Sequence, residues 1–132
     1  MILLPLMHVE LMSEIETFTT IGLLDSGGTS TFIPYELADI LGLVPENPPS
    51  SSVVTAGGNA PFFPTVLKKL TVLVGGKTLS EFSNIRVLVP AQRDKDLPYV
   101  ILGRDSIFKR FHITFKENIR KFVLEHHKLA KA

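Results

Sequence analysis

Short apolar and β-branched runs recur along the chain, separated by Gly, Pro, Asn and Ser. That rhythm predicts strands joined by tight turns. An apolar N-terminal strand spans Ile2 to Met12, and Phe18 to Leu24 reads as the next strand. Asp25-Ser26-Gly27-Gly28 ends it, and Thr31-Phe32-Ile33 resumes extended structure. Pro34 opens a short helix to about Leu41, with Leu37, Ile40 and Leu41 on its apolar face and Gly42 as its stop. The Pro/Ser-rich stretch from Val44 to Ser52 is a loop. Val53-Val54-Thr55 and Phe62-Phe63 flank Ala56-Gly57-Gly58-Asn59-Ala60, a hairpin signal. Leu70 to Val74 and Leu79 to Val89 read as two strands joined at Gly75-Gly76, followed by a charged loop from Ala91 to Pro98. Val100-Ile101-Leu102 is a strand ending at Gly103, and Asp105 to Phe111 has helical spacing. A last hairpin joins Phe111–Phe115 to Lys121–Leu124 around Glu117-Asn118, before a polar tail. Eight or nine short strands and two short helices fit one small closed or partly closed β structure.

Composition narrows the picture. At 132 residues, 45% hydrophobic and 20% charged, the chain is one globular domain and not a disordered segment. No cysteine is present, which excludes disulfides, thiolate metal sites and a cysteine nucleophile. The net charge of +1 is unevenly spread: residues 106–132 carry seven Lys/Arg against two Glu, residues 1–105 seven Lys/Arg against eleven Asp/Glu. The basic end reads as a solvated face. It lacks the aromatic interleaving of single-strand binders, so no nucleic-acid partner is expected. No apolar run approaches the roughly 20 residues of a membrane span, and no signal-peptide pattern is present. A soluble, cytoplasmic protein without membrane partners is the expectation. His8, His112, His126 and His127 are scattered, and metalloprotease, nucleophile-elbow and phosphate-loop motifs are missing, so neither metal nor cofactor is expected.

The chemistry concentrates at Leu23-Leu24-Asp25-Ser26-Gly27. A carboxylate follows directly on an apolar strand, in a turn of small residues whose amides can approach closely. Taken alone, Asp-Ser-Gly is an ordinary turn, since those residues favour turns anyway. A second segment alters that reading. Val100-Ile101-Leu102-Gly103-Arg104-Asp105, some 75 residues later, is again an apolar strand ending at glycine and leading into a short helix.

In this order and spacing the motifs resemble the retropepsin-like aspartic proteases, and more the cellular than the viral kind. The resemblance spans about residues 15–125, with 126–132 as a polar tail, all within a single domain 1–132. Asp25-Ser26-Gly27 matches the signature triplet, with Asp25 catalytic and Ser26 and Gly27 completing the active-site loop. Ala56, Gly57, Gly58 and Asn59 stand where the family has its flap. Ile101, Leu102 and Gly103 match the element passing behind the catalytic loop. Thr29 replaces the viral Asp, and Arg104 matches the family's arginine without its usual carboxylate partner. Asp105 lacks a glycine turn and reads as a helix N-cap.

The implied fold is an all-β, barrel-like acid protease lobe with one or two short helices, active as a twofold homodimer. Peptide hydrolysis by carboxylates needs one ionised acid to activate water and one protonated acid to polarise the carbonyl. Two such groups about 3 Å apart share a proton. With one Asp-Ser-Gly in the chain, the second aspartate is that of another copy, and a peptide or protein is the substrate. The competing reading is a catalytically silent dimerisation or peptide-binding module on the same fold. Leu23, Ile33, Phe62, Phe63, Val87 and Ile101 are apolar enough either to line substrate pockets or to fill the core.

Overall fold

Alternation decides the first strand. β1 (Leu6–Met12) places Met7, Val9 and Leu11 on one buried face, as the period-two geometry of a strand requires. The structure, a computed structural model, describes residues 5–25, 27–47, 51–55, 58–91, 99–116 and 121–126. A turn at 13–16 then reverses the chain: Ser13 Oγ accepts from the amides of Ile15 (3.3 Å) and Glu16 (3.2 Å), and Ser13 N donates to the Glu16 carbonyl. β2 (Thr17–Leu24) returns antiparallel to β1.

α1 (Tyr35–Ile40) starts directly after Pro34 and buries Leu37 and Ala38. β3 (Ser51–Thr55) and β4 (Gly58–Val74) form an antiparallel pair. β4 runs on for 17 residues, past Pro64, where two separate strands were expected. It then turns at Gly75-Gly76, both at positive φ (58° and 78°), into β5 (Lys77–Pro90). That left-handed geometry is the one a two-residue hairpin loop needs, and glycine adopts it without cost. β6 (Val100–Leu102) pairs parallel with the end of β2.

The main sheet has the order β3-β4-β1-β2-β6, with β5 on the other edge of β4. Residues 31–33 connect its far ends. Phe32 exchanges hydrogen bonds with Ile101 of β6, while Ile33 N and Thr31 O bond to Leu88 of β5, each at 2.9 Å. Inside lie Val9, Leu11, Ile33, Leu41, Phe63, Leu67, Leu70, Val72, Val87 and Leu102. The core therefore draws on β1, ahead of residue 15, where the sequence resemblance begins. α2 (Ile107–Arg110) buries Ile107. It leads into a separate two-stranded sheet of β7 (Phe111–Lys116) and β8 (Lys121–His126), the expected closing hairpin. The mostly-strand lobe with two short helices agrees with the sequence reading. The hairpin tip at Glu117-Asn118 and the tail 127–132 lie outside the described residues.

Candidate active site

Asp25 is the first residue past β2, and the β2–β6 ladder holds its backbone: Asp25 N donates to Leu102 O at 3.0 Å. The turn then closes on the carboxylate. Gly27 N donates to Asp25 Oδ1 at 3.0 Å, and Gly28 N to the Asp25 carbonyl at 3.2 Å. A Cβ on Gly28 would stand 3.1 Å from Asp25 Oδ2, and one on Gly27 3.4 Å from Oδ1. Small residues here let main-chain donors reach the acid. Among the described residues the half-buried Asp25 is thus fixed by backbone donors. Ser26, the middle of the triplet, lies outside the described residues.

Two chain segments cross behind this turn. Arg104 N donates to Gly28 O at 2.9 Å. A Cβ on Gly103 would sit 2.2 Å from the Ser30 carbonyl oxygen, so the two backbones touch and only glycine fits. Thr31, fully buried, joins them: Gly103 N reaches its Oγ1 at 3.4 Å.

Asp105 corrects the sequence reading. Ser106, not Asp105, holds the N-cap position of α2, and no side chain caps that helix. The Asp105 carboxylate instead accepts from Thr31 N (3.3 Å) and Thr31 Oγ1 (2.7 Å), across 74 residues. The Thr31 and Ser106 hydroxyls are 3.0 Å apart. Thr31 has one hydroxyl proton, which goes to the carboxylate, the shorter and charge-assisted contact. Ser106 then donates to Thr31 Oγ1 or to Gly103 O at 3.1 Å. Nothing local in the sequence singles out this pairing; a small polar residue opening a strand at Thr31 is its only trace.

Leu102 is buried and Ile101 half-buried, both in the strand behind Asp25. Val54 pairs with Asn59 and Thr55 with Gly58, so Gly58 and Asn59 begin β4, where the sequence suggested the turn itself. Ala56 and Gly57 lie outside the described residues. Ile33, Phe62, Phe63 and Val87 are buried and so belong to the interior, with Phe62 edge-on to Phe32 at 5.0 Å. Leu23 and Ile101 keep partial exposure. Among the described residues no group of three or more His, Asp or Glu is placed to hold a metal ion, and no helix is long and apolar enough to cross a membrane.

An all-β lobe with an aspartate in a glycine turn, crossed from behind by an apolar strand ending in glycine, defines a retropepsin-like aspartic protease fold. The chain belongs to the aspartyl protease family, whose model matches residues 16–106. Among solved structures it is similar to a retropepsin-like aspartic protease from Rickettsia conorii, with a TM-score of 0.62 and 19% identity over 90% of this chain and 80% of that one. It is also similar to the EIAV protease in complex with the inhibitor HBY-793, with a TM-score of 0.53 and 23% identity over 81% of this chain and 88% of that one. A comparison with curated protein sequences finds no match.

Proposed function

We propose that the chain is an aspartic endopeptidase whose active form is a twofold homodimer. The observation that carries this is the seating of Asp25: its carboxylate, held by Gly27 N at 3.0 Å, projects from a turn anchored to Leu102. A rigid acid of this kind is what water activation needs. The chain holds a single Asp-Ser-Gly, so the partner acid is Asp25 of a second copy. One carboxylate of the pair takes the proton of the attacking water while the other, protonated, hydrogen-bonds the scissile carbonyl. Two like charges at close range hold one proton between them, which places activity on the acid side of neutral. The β3–β4 hairpin, with Ala56, Gly57, Gly58 and Asn59, closes over an extended peptide and adds main-chain hydrogen bonds.

The test is cleavage of a diverse peptide mixture between about pH 3 and pH 7, wild type against Asp25→Asn, both checked as folded dimers. The wild type is expected to cut with a maximum in pH, and the variant to lose at least about a hundredfold in rate. A rate still climbing through about pH 9, or equal cutting by both proteins, removes the dyad.

A further inference from the structure

A cleft of about 350 Å³ lies between β5 and the 105–110 segment, and Asp25 takes no part in it. Its walls include Ser83, Asn84 and Arg86 on one side and Asp105, Lys109 and Arg110 on the other. Arg110 is held in place. Its guanidinium stacks 4.1 Å from the centre of the Phe82 ring, and Nη1 donates to Ser80 Oγ at 2.9 Å and to the Glu81 carbonyl. Arg86 and Lys109 are exposed and have no ion-pair partner among the described residues. The nearby acids are committed elsewhere: Asp105 to the amide and hydroxyl of Thr31, Glu81 to Lys69 at 3.9 Å. Three cations therefore face one carboxylate that already has its donors.

The backbone of this wall is unusual too. Asn84 has φ of 50°, and the β4–β5 ladder skips it, pairing Leu67 with Ile85 and Lys69 with Ser83. Asparagine is one of the few non-glycine residues that tolerate this region. Among the described residues β5 is met by the 31–33 segment at Leu88 and by the Arg110 side chain at Ser80 and the Glu81 carbonyl.

We propose that this cleft docks an acidic peptide segment of a partner protein, whose carboxylates engage Arg86, Lys109 and Arg110. Cations spread over two elements suit several carboxylates on one chain better than a single small anion. The one aromatic ring in the wall, Phe82, is buried beneath Arg110, so no platform exists for stacked bases. Docking is independent of the hydrolysis proposed above, because it is read without turnover.

The experiment is a titration of fluorescent hexaglutamate into the full-length Asp25→Asn chain, which cannot cut the probe by the proposed dyad. Three versions are compared: that background alone, with Arg86→Ala/Lys109→Ala, and with Lys77→Ala/Lys121→Ala, which removes equal charge elsewhere. Saturable binding is expected, weakened about tenfold by the first pair and less than about twofold by the second. Arg86→Glu, at an exposed position, repeats the test by charge reversal and should weaken binding at least as much. Absence of saturable binding overturns the proposal, as does equal loss with both pairs. So does stronger competition by inorganic phosphate or by an oligonucleotide than by unlabelled hexaglutamate.

Discussion

Gly75-Gly76 and Gly27-Gly28 both stand at the end of a strand, but for different physical reasons. At 75–76 both residues have positive φ, and a Cβ on either would meet nothing within 4 Å. The backbone angle alone demands glycine there. At 27–28 neither residue has positive φ, and the added Cβ would meet the Asp25 carboxylate. Gly103 carries the second case furthest, with a Cβ only 2.2 Å from the Ser30 backbone. One turn needs an angle; the Asp25 turn needs space, because three backbone stretches and a carboxylate share one small volume. Substitutions separate the two reasons.

Gly103→Ala gives the largest effect. The clash is with main chain that is itself bonded on both sides, through Arg104 N to Gly28 O and Phe32 N to Ile101 O. Nothing flexible can yield, so the loss of stability should exceed about 3 kcal/mol by urea unfolding. A folded Gly103→Ala protein of near wild-type stability would mean that the crossing is looser than described.

Thr31→Val comes next. It keeps shape and burial but removes the hydroxyl that serves Asp105, Ser106 and Gly103. Asp105 keeps only the Thr31 amide, and the expected cost is about 1–3 kcal/mol. Thr31→Ser should recover most of it, since the hydroxyl is restored and only a methyl is lost. Equal destabilisation by both variants would assign the effect to packing instead of the hydrogen-bond network.

These two positions also show what the sequence makes readable. Strand β2, helix α1 after Pro34, strand β6 and the β7–β8 hairpin follow from local signals: apolar runs, a proline and turn glycines. The turn at Asp25 was readable because Asp-Ser-Gly directly follows an apolar strand; the proposed role of Asp25 came only with the second apolar segment at 100–103 and the resemblance it carries. The Thr31–Asp105 contact was not readable, because its partners are 74 residues apart and each has a plausible local role, Asp105 as a helix cap among them. The length of β4 was not readable either: Phe62-Phe63 and Leu70 to Val74 read as separate strands, yet β4 runs on through Pro64, which lies between Phe62, the last β4 partner of β3, and Lys69, the first of β1. Among the described residues β4 has only β5 as a partner over that span, and a strand edge without a ladder partner tolerates proline. Periodicity reports burial along one strand and is silent on which edges are paired.

Gly75→Ala tests the other half of the comparison. The site is open, so only the angle matters, and a side chain at φ of 58° costs about 1 kcal/mol. Gly75→Asn should cost less, since asparagine tolerates this region. Cleavage should not change in either variant, the turn lying at the far end of the β4–β5 hairpin from the β3 pairing. A loss as large as that of Gly103→Ala would erase the distinction between angle and space.

Gly28→Ala should have the smallest effect on stability and the most informative one on chemistry. The new Cβ would lie 3.1 Å from Asp25 Oδ2, so a few tenths of an ångström must be found. Backbone cannot supply it, because Gly28 is bonded at both ends, to Asp25 O and from Arg104 N. The carboxylate can, by rotating about its own side chain. Unfolding should therefore shift by less than about 0.5 kcal/mol. The proposed hydrolysis should fall by about tenfold or more, because a displaced acid no longer meets the water and its partner in line. A variant with full activity would show that Asp25 has slack in its turn; a variant that unfolds would show that the glycine protects the fold before it serves the acid.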